Sequence, residues 1–213
     1  YQGSKPVTWA PVEKAAVDGA HVQSHDHKSH TIWVPFRVTS FDLPDAEWAE
    51  EEEMDGVRKS AAEAKLTAAS RFEGAKVVIW TTTPWTIPSN KAVAYNPDIS
   101  YGLYEVTGRP EECWARIGDR YVLADALAED VLGKARLDNT MWRRLCDVTQ
   151  HQLAAMTLAH PLRGAEGADG FWDYDVPMID GDHVTDDAGT GFVHTAPSHG
   201  QEDYEAFVAR GWM

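Results

Sequence analysis

Three hydroxyls in a row, Thr81, Thr82 and Thr83, follow the apolar run Val77-Val78-Ile79-Trp80 and lead into Pro84-Trp85-Thr86-Ile87-Pro88-Ser89-Asn90. A buried strand that ends in small hydroxyl residues, with prolines stiffening the exit, delivers polar groups to one fixed place at a pocket mouth. Trp85 is suited to wall a small apolar pocket, and Asn90 brings both donors and acceptors. Each has a plain alternative: threonines favour strands and satisfy turn backbones, and Trp85 and Asn90 equally suit a core or a turn. A second stretch, Gly189-Thr190-Gly191-Phe192-Val193-His194-Thr195-Ala196-Pro197-Ser198-His199-Gly200-Gln201-Glu202-Asp203-Tyr204, repeats the plan. Here a strand carries His194 to a loop, and a helix places Asp203 one turn from His199. Asp203 is a candidate anchor for a substrate ammonium in a partly dehydrated site, although an acid near a helix N-terminus is also favoured by the helix dipole alone.

Other chemistries lack their parts. His21, His25, His27 and His30 have no accompanying cysteine, so no metal site is expected. Gly189-Thr190-Gly191 lacks the third glycine and following helix of a dinucleotide fingerprint. Ser198-His199 has no Gly-x-Ser-x-Gly elbow, and Ser198 with Gln201 has the spacing of a capping box instead. With no nucleophile evident, attack by a positioned water is the simpler form of any hydrolysis.

The elements that must position these groups are mostly strands. Val7-Thr8-Trp9 and His21-Val22-Gln23-Ser24 pattern as the arms of a ribbon within a linker at 1–30. Strands are expected over 31–38, 76–82, 92–95, 101–106, 114–117, 121–123, 144–149, 182–185 and around Phe192-Val193-His194. Asp125 is placed to cap a helix whose Leu127, Val131, Leu132 and Ala135 form an apolar stripe. The final helix turns Tyr204, Phe207 and Val208 inward. Residues 42–73 are rich in helix formers and read as a surface helical insertion. The expected architecture is α+β and mainly β, a barrel-like β core with peripheral helices in a single domain over 1–213.

The chain has 213 residues, ample for one core, and no apolar run long enough to span a membrane. Two cysteines, Cys113 and Cys146, provide neither a disulfide framework nor a cysteine zinc site, which fits the cytoplasm. The formal charge of −15 opposes binding to phosphates. Eight acids and no bases lie between Asp42 and Asp55, however, and without them the charge falls to −7. Such a run is ordinarily a solvated face or an insertion. The opening Tyr1-Gln2-Gly3-Ser4-Lys5-Pro6 has no initiator Met and no signal-peptide pattern, so the chain reads as beginning within a longer protein.

The two motifs together resemble the editing domain, connective peptide 1, of the isoleucyl branch of class I aminoacyl-tRNA synthetases. The resemblance extends from Gly3-Ser4-Lys5-Pro6-Val7 through Gly181-Asp182-His183-Val184 to the last helix. Thr82-Thr83-Pro84-Trp85 stands where the valyl and leucyl enzymes have Thr-Thr-Arg-Pro, which separates the branches. The His-Ile-Gly-His and Lys-Met-Ser-Lys-Ser signatures of amino-acid activation are absent. The resemblance implies hydrolysis of valine misattached to isoleucine tRNA, with Thr81, Thr82, Thr83 and Asn90 at the reaction centre. By the same resemblance Trp85 and His194 shape the pocket and Asp203 holds the amino group. It also implies a monomeric domain whose partners are the 3′ end of the isoleucine tRNA and the rest of the parent synthetase. No cofactor is implied for editing, ATP and magnesium serving the synthesis domain. One methylene is worth only about 1–3 kcal/mol in a single apolar pocket, a figure for which isoleucyl synthetases are themselves the standard example rather than a result from this chain.

Overall fold

The computed structural model describes residues 7–19, 22, 26, 28–42, 67 and 69–212. His21, His25 and His27, the ribbon arm at 21–24 apart from Val22, and most of the helical insertion expected at 42–73 lie outside the described residues. The described end of that insertion, 69–72, is helical, and Phe72 stacks on Phe41 with ring centres 4.9 Å apart.

The strands are β1 (Trp9–Ala10), β2 (Ala15–Ala16), β3 (Ile32–Phe41), β4 (Lys76–Thr81), β5 (Ala92–Tyr95), β6 (Tyr101–Val106), β7 (Arg120–Ala124), β8 (Trp142–Val148), β9 (Met156–Ala159), β10 (Asp175–Asp180) and β11 (Phe192–Thr195). Besides the helical turn at 69–72, the described residues hold the helices α1 (Ala128–Lys134), α2 (Gln150–Ala154) and α3 (Gln201–Ala209). Nine strands form one sheet in the order β11-β5-β10-β9-β3-β4-β7-β6-β8, while β1 and β2 pair as a separate antiparallel ribbon. Pairing is antiparallel except between β4 and β7 and between β5 and β10. The sheet curls so that β11 lies against β4, two strands that its hydrogen-bond order keeps far apart. It remains open, with no ladder joining β11 to β8 among the described residues. The architecture is thus mainly β with peripheral helices, and the barrel-like core is a curled sheet rather than a closed barrel.

Local chemistry explains this path. β4 is buried on both faces, as its continuous apolar run requires, with Val77, Val78 and Ile79 inside. Pro35 is tolerated in β3 because β9 pairs only with the far half of that strand, from Val38 onward, so its missing N–H faces no ladder on that side. A register shift between Val38 and Ser40 bends β3 where β9 joins it. Gly191 opens β11 at φ +80°, and a Cβ there would lie 2.3 Å from Ala124 Cβ, so only glycine lets the chain pass. Phe207 of α3 packs on Ala92, Ala94, Ile179 and Val184, which fixes the final helix against β5 and β10.

Several expected elements differ. The first ribbon pairs Trp9 with Ala16 and turns through residues 11–14. Residues 114–117 form no strand, because the Asp119 carboxylate accepts from the Arg116 N–H at 3.0 Å and Gly118 turns at φ +89°. Residues 182–185 lie beyond the end of β10 in a turn closed from the Val184 N–H to Gly181 O. Asp125 does not cap α1, since its carboxylate is taken by Arg144 and the Tyr104 hydroxyl. The stripe itself is buried as expected at Leu127, Val131 and Leu132. Ser198 does not cap α3 either: Gly200 is the N-cap residue, without a side-chain bond. In that helix Phe207 is buried, whereas Val208 faces outward. Among the described residues no helix is long and apolar enough to cross a membrane.

Candidate functional site

The curl of the sheet brings the end of β4 to β11, and the two sequence motifs meet there. After Thr81 the chain enters a 3-10 turn, Pro84–Ser89, with Pro84 at its start, where a missing N–H costs nothing. Side chains three apart eclipse in such a turn, so Thr83 and Thr86 face the same way. The Thr83 N–H donates to Thr81 Oγ1 at 3.0 Å, and the two hydroxyl oxygens are 3.2 Å apart. Thr86 Oγ1 donates to Thr83 O at 2.8 Å and lies 3.5 Å from Thr83 Oγ1. These bonds gather Thr81, Thr83 and Thr86 into one hydroxyl wall.

His194 faces that wall from β11, which is fixed by antiparallel register with β5, His194 opposite Val93. Its Nε2 is 2.8 Å from Thr86 Oγ1, and its Nδ1 is 2.8 Å from Asn90 Nδ2. The amide nitrogen of Asn90 also approaches Ala92 O at 2.8 Å and Thr195 O at 3.5 Å, contacts only a donor satisfies. The protons follow by elimination. Asn90 donates to Nδ1, so Nδ1 carries the lone pair and Nε2 the hydrogen, which it gives to Thr86. Burial is the main influence on the ring and pulls its pKa down to about 4, against an upward pull from Asp203 and further depression by His199 and His160. His194 is a neutral, oriented wedge with both nitrogens engaged.

Asp203 occupies the first turn of α3, and its Oδ2 accepts from the Ala196 N–H at 2.7 Å. The space enclosed is a cleft of about 200 Å³ lined by Trp80, Thr81, Thr83, Thr86, Val193 and His194, with Ala196, His199 and Asp203 closing it. It is smaller than the roughly 300–1,000 Å³ of drug-sized ligand sites and suits a group the size of an amino acid. A larger cavity of about 290 Å³ lies between β3, β4, β7 and α1, with lining that includes Ile32, Val78, Leu123, Val131 and Leu132. It gathers no comparable set of hydroxyls, imidazole and carboxylate, so the smaller cleft is the better chemical candidate.

Of the residues singled out from sequence, Thr81, Thr83, His194 and Asp203 converge on this cleft. Thr82 is exposed beside it, and Trp85 points outward with 61% of its surface exposed, lining neither cavity. Asn90 has no exposed surface and sits behind His194, holding the ring rather than facing the cleft. Sequence reasoning missed Thr86, although its spacing of three from Thr83 after a proline is the signature of a 3-10 face. It also left His199 unassigned; that ring lines the cleft and its Nε2 lies 3.1 Å from Ser89 Oγ, joining the loop before α3 to the 3-10 turn.

No family model matches the chain. An isoleucine–tRNA ligase of Ruegeria pomeroyi is 52% identical over 100% of this chain and 19% of its own length. One of Caulobacter vibrioides is 47% identical over 99% and 19%. The chain therefore spans about a fifth of the length of the curated relatives it matches. Among solved structures, the P. knowlesi cytosolic leucyl-tRNA synthetase editing domain superposes with a TM-score of 0.56 at 10% identity, covering 90% of this chain and 67% of that one. The P. falciparum counterpart gives 0.54 at 11% identity, covering 86% and 68%. At such identities the likeness speaks for the fold, and the sequence relatives supply the branch: the chain is similar from end to end to a segment of isoleucine–tRNA ligases and has the fold of the leucyl-tRNA synthetase editing domains.

Proposed function

We propose that this chain hydrolyses the ester of valine misattached to isoleucine tRNA and excludes isoleucine by size. The observation that carries this reading is the wedge at His194, locked between Asn90 and Thr86 in a cleft that has a carboxylate on its other side. A rigid wall turns a weak affinity difference into a steric test, because an extra methylene must displace side chains tied to one another by hydrogen bonds.

The chemistry assigned to each group follows from its bonding. Asp203 holds the substrate ammonium, with one oxygen steadied by the Ala196 N–H. The hydroxyl wall of Thr81 and Thr83 meets the ester and the charge that develops on its oxygen. A threonine nucleophile would need a base, and His194 does not serve as one: its Nδ1 is occupied by Asn90 and its Nε2 carries a proton. Water positioned in the cleft is the attacking group, and the product amino acid and free tRNA leave. The partner is the aminoacylated 3′ end of the isoleucine tRNA, presented in the cytoplasm by the rest of the synthetase. The acidic surface makes the other parts of that enzyme the main source of tRNA affinity.

The test is hydrolysis of preformed valyl- and isoleucyl-tRNA(Ile) by the full-length ligase carrying this domain. Rapid release of valine with isoleucine retained is expected; equal release of both, or of neither, removes the proposal.

A further inference from the structure

The 3-10 turn that carries Thr86 is held from behind by one loop, residues 160–174, which contributes nothing to the cleft lining. His160 is 1% exposed, and its Nδ1 accepts from the Leu162 N–H at 3.1 Å, so the proton is on Nε2, which donates to Ile87 O at 3.1 Å. The Trp172 indole N–H donates to Pro88 O at 2.9 Å, and the Tyr174 hydroxyl donates to Asn90 O. The His160 ring lies 6.1 Å from Trp172 and nearly parallel to it, at 9°, and 5.3 Å from Tyr174. Lys91 Nζ sits 3.9 Å above the Tyr174 ring, closing the stack. Three carbonyls at the end of the turn are thus held by three ring side chains from one loop. Unlike the ladder bonds of the sheet, these reach a segment with few bonds of its own. The turn in turn sets both contacts of His194: Thr86 is one residue before Ile87, and Asn90 is the last carbonyl held.

We propose that Trp172 and Tyr174, packed against His160, are positioning residues that set the width of the cleft by fixing the turn from Thr86 to Asn90. None of the three reaches the cleft; they act through the distance between Thr86 and His194. This rests on the editing reading of the cleft. Loosening the brace therefore harms discrimination before it harms reaction: valine still fits a slackened cleft, and isoleucine begins to.

Trp172→Phe and Tyr174→Phe each keep a ring in the stack and delete one donor. In the full-length ligase, single-turnover deacylation of valyl- and isoleucyl-tRNA(Ile) is measured for each variant and for wild type. The loss of one hydrogen bond corresponds to about a fivefold effect. Each variant is expected to raise the isoleucyl rate about fivefold while the valyl rate stays within about twofold. Their combination is expected to raise it further. A fall in both rates together, or an unchanged ratio, overturns the proposal, because purely structural damage does not distinguish the substrates. Wild type that hydrolyses neither ester fails the editing reading itself. The Tyr174 variant, which loses a single oxygen atom, decides the matter if Trp172→Phe does not fold. Imidazole nitrogen NMR gives a readout independent of activity: the His194 tautomer, fixed in wild type, becomes mixed in the variants, and an unchanged spectrum counts against the brace.

Discussion

Acidification separates His194 from the other groups of the cleft. In the folded chain the ring stays neutral down to a pKa of about 4, because burial outweighs the upward pull of Asp203. Unfolded, a histidine takes up its proton near pH 6.5. Above about pH 6.5 both states are neutral and this contribution to stability is fully present. Between about 6.5 and 4 only the unfolded chain binds the proton, so stability falls as pH falls, by at most about 1.4 kcal/mol per pH unit and about 3 kcal/mol over the window. The perturbation is His194→Gln, which cannot titrate, and the assay is urea unfolding from about pH 7.5 to 4.5 of both proteins. Subtracting the profiles cancels the other carboxylates and histidines. The stability advantage of wild type over the variant is expected to shrink by about 2–3 kcal/mol between pH 7 and 4.5. Parallel profiles, or a His194 ring that titrates near pH 6.5 by NMR, would refute the bonding scheme, because protonated Nδ1 could no longer accept from Asn90.

Three further outcomes follow from individual contacts. Asp203→Asn keeps an oxygen for the Ala196 N–H and removes the charge, so valyl-tRNA deacylation is expected to fall about 10- to 100-fold with little change in melting; wild-type rates in that variant remove the ammonium anchor. Gly191→Ala forces a Cβ against Ala124 at a positive φ, and denaturant unfolding should report a loss of about 2–4 kcal/mol. Asp125→Asn loosens Arg144 and Tyr104, whose bonds hold that carboxyl below its ordinary pKa although burial alone would raise it. It should cost about 1–2 kcal/mol of stability and leave the valine-to-isoleucine ratio of deacylation rates unchanged.

What was legible in the sequence was governed by patterns along the chain. The continuous apolar run before Thr81 required a buried strand, and β4 is one; the stripe from Leu127 to Leu132 required a packed helix, and α1 buries it. Those patterns misled where a side chain had a distant partner. Asp125 has the composition of a cap, but Arg144 and Tyr104 reach it across the sheet and compete successfully. Ser198 and Gln201 have capping-box spacing, yet the chain delays the helix until Gly200 while Asp203 turns back to Ala196. β9 and β10 escaped notice because four residues of Met156–Ala159 show no alternation and Pro177 argues against a strand. The pairing of the two motifs was readable, but the division of labour within them was not. That Asn90 stands behind His194, and Thr86 in front of it, depends on the curl that sets β11 against β4.

The most direct measurement is deacylation of isoleucyl-tRNA(Ile) by the full-length ligase with His194→Ala. Removing the wedge deletes the surface proposed to meet the extra methylene while leaving Asp203 and the hydroxyls of Thr81 and Thr83 in place. Isoleucyl-tRNA hydrolysis is expected to rise about 10- to 100-fold toward the valyl rate, in line with the weight of one methylene. Continued rejection of isoleucine by a folded variant that still hydrolyses valyl-tRNA would contradict the assignment of this cleft as a valine-sized sieve.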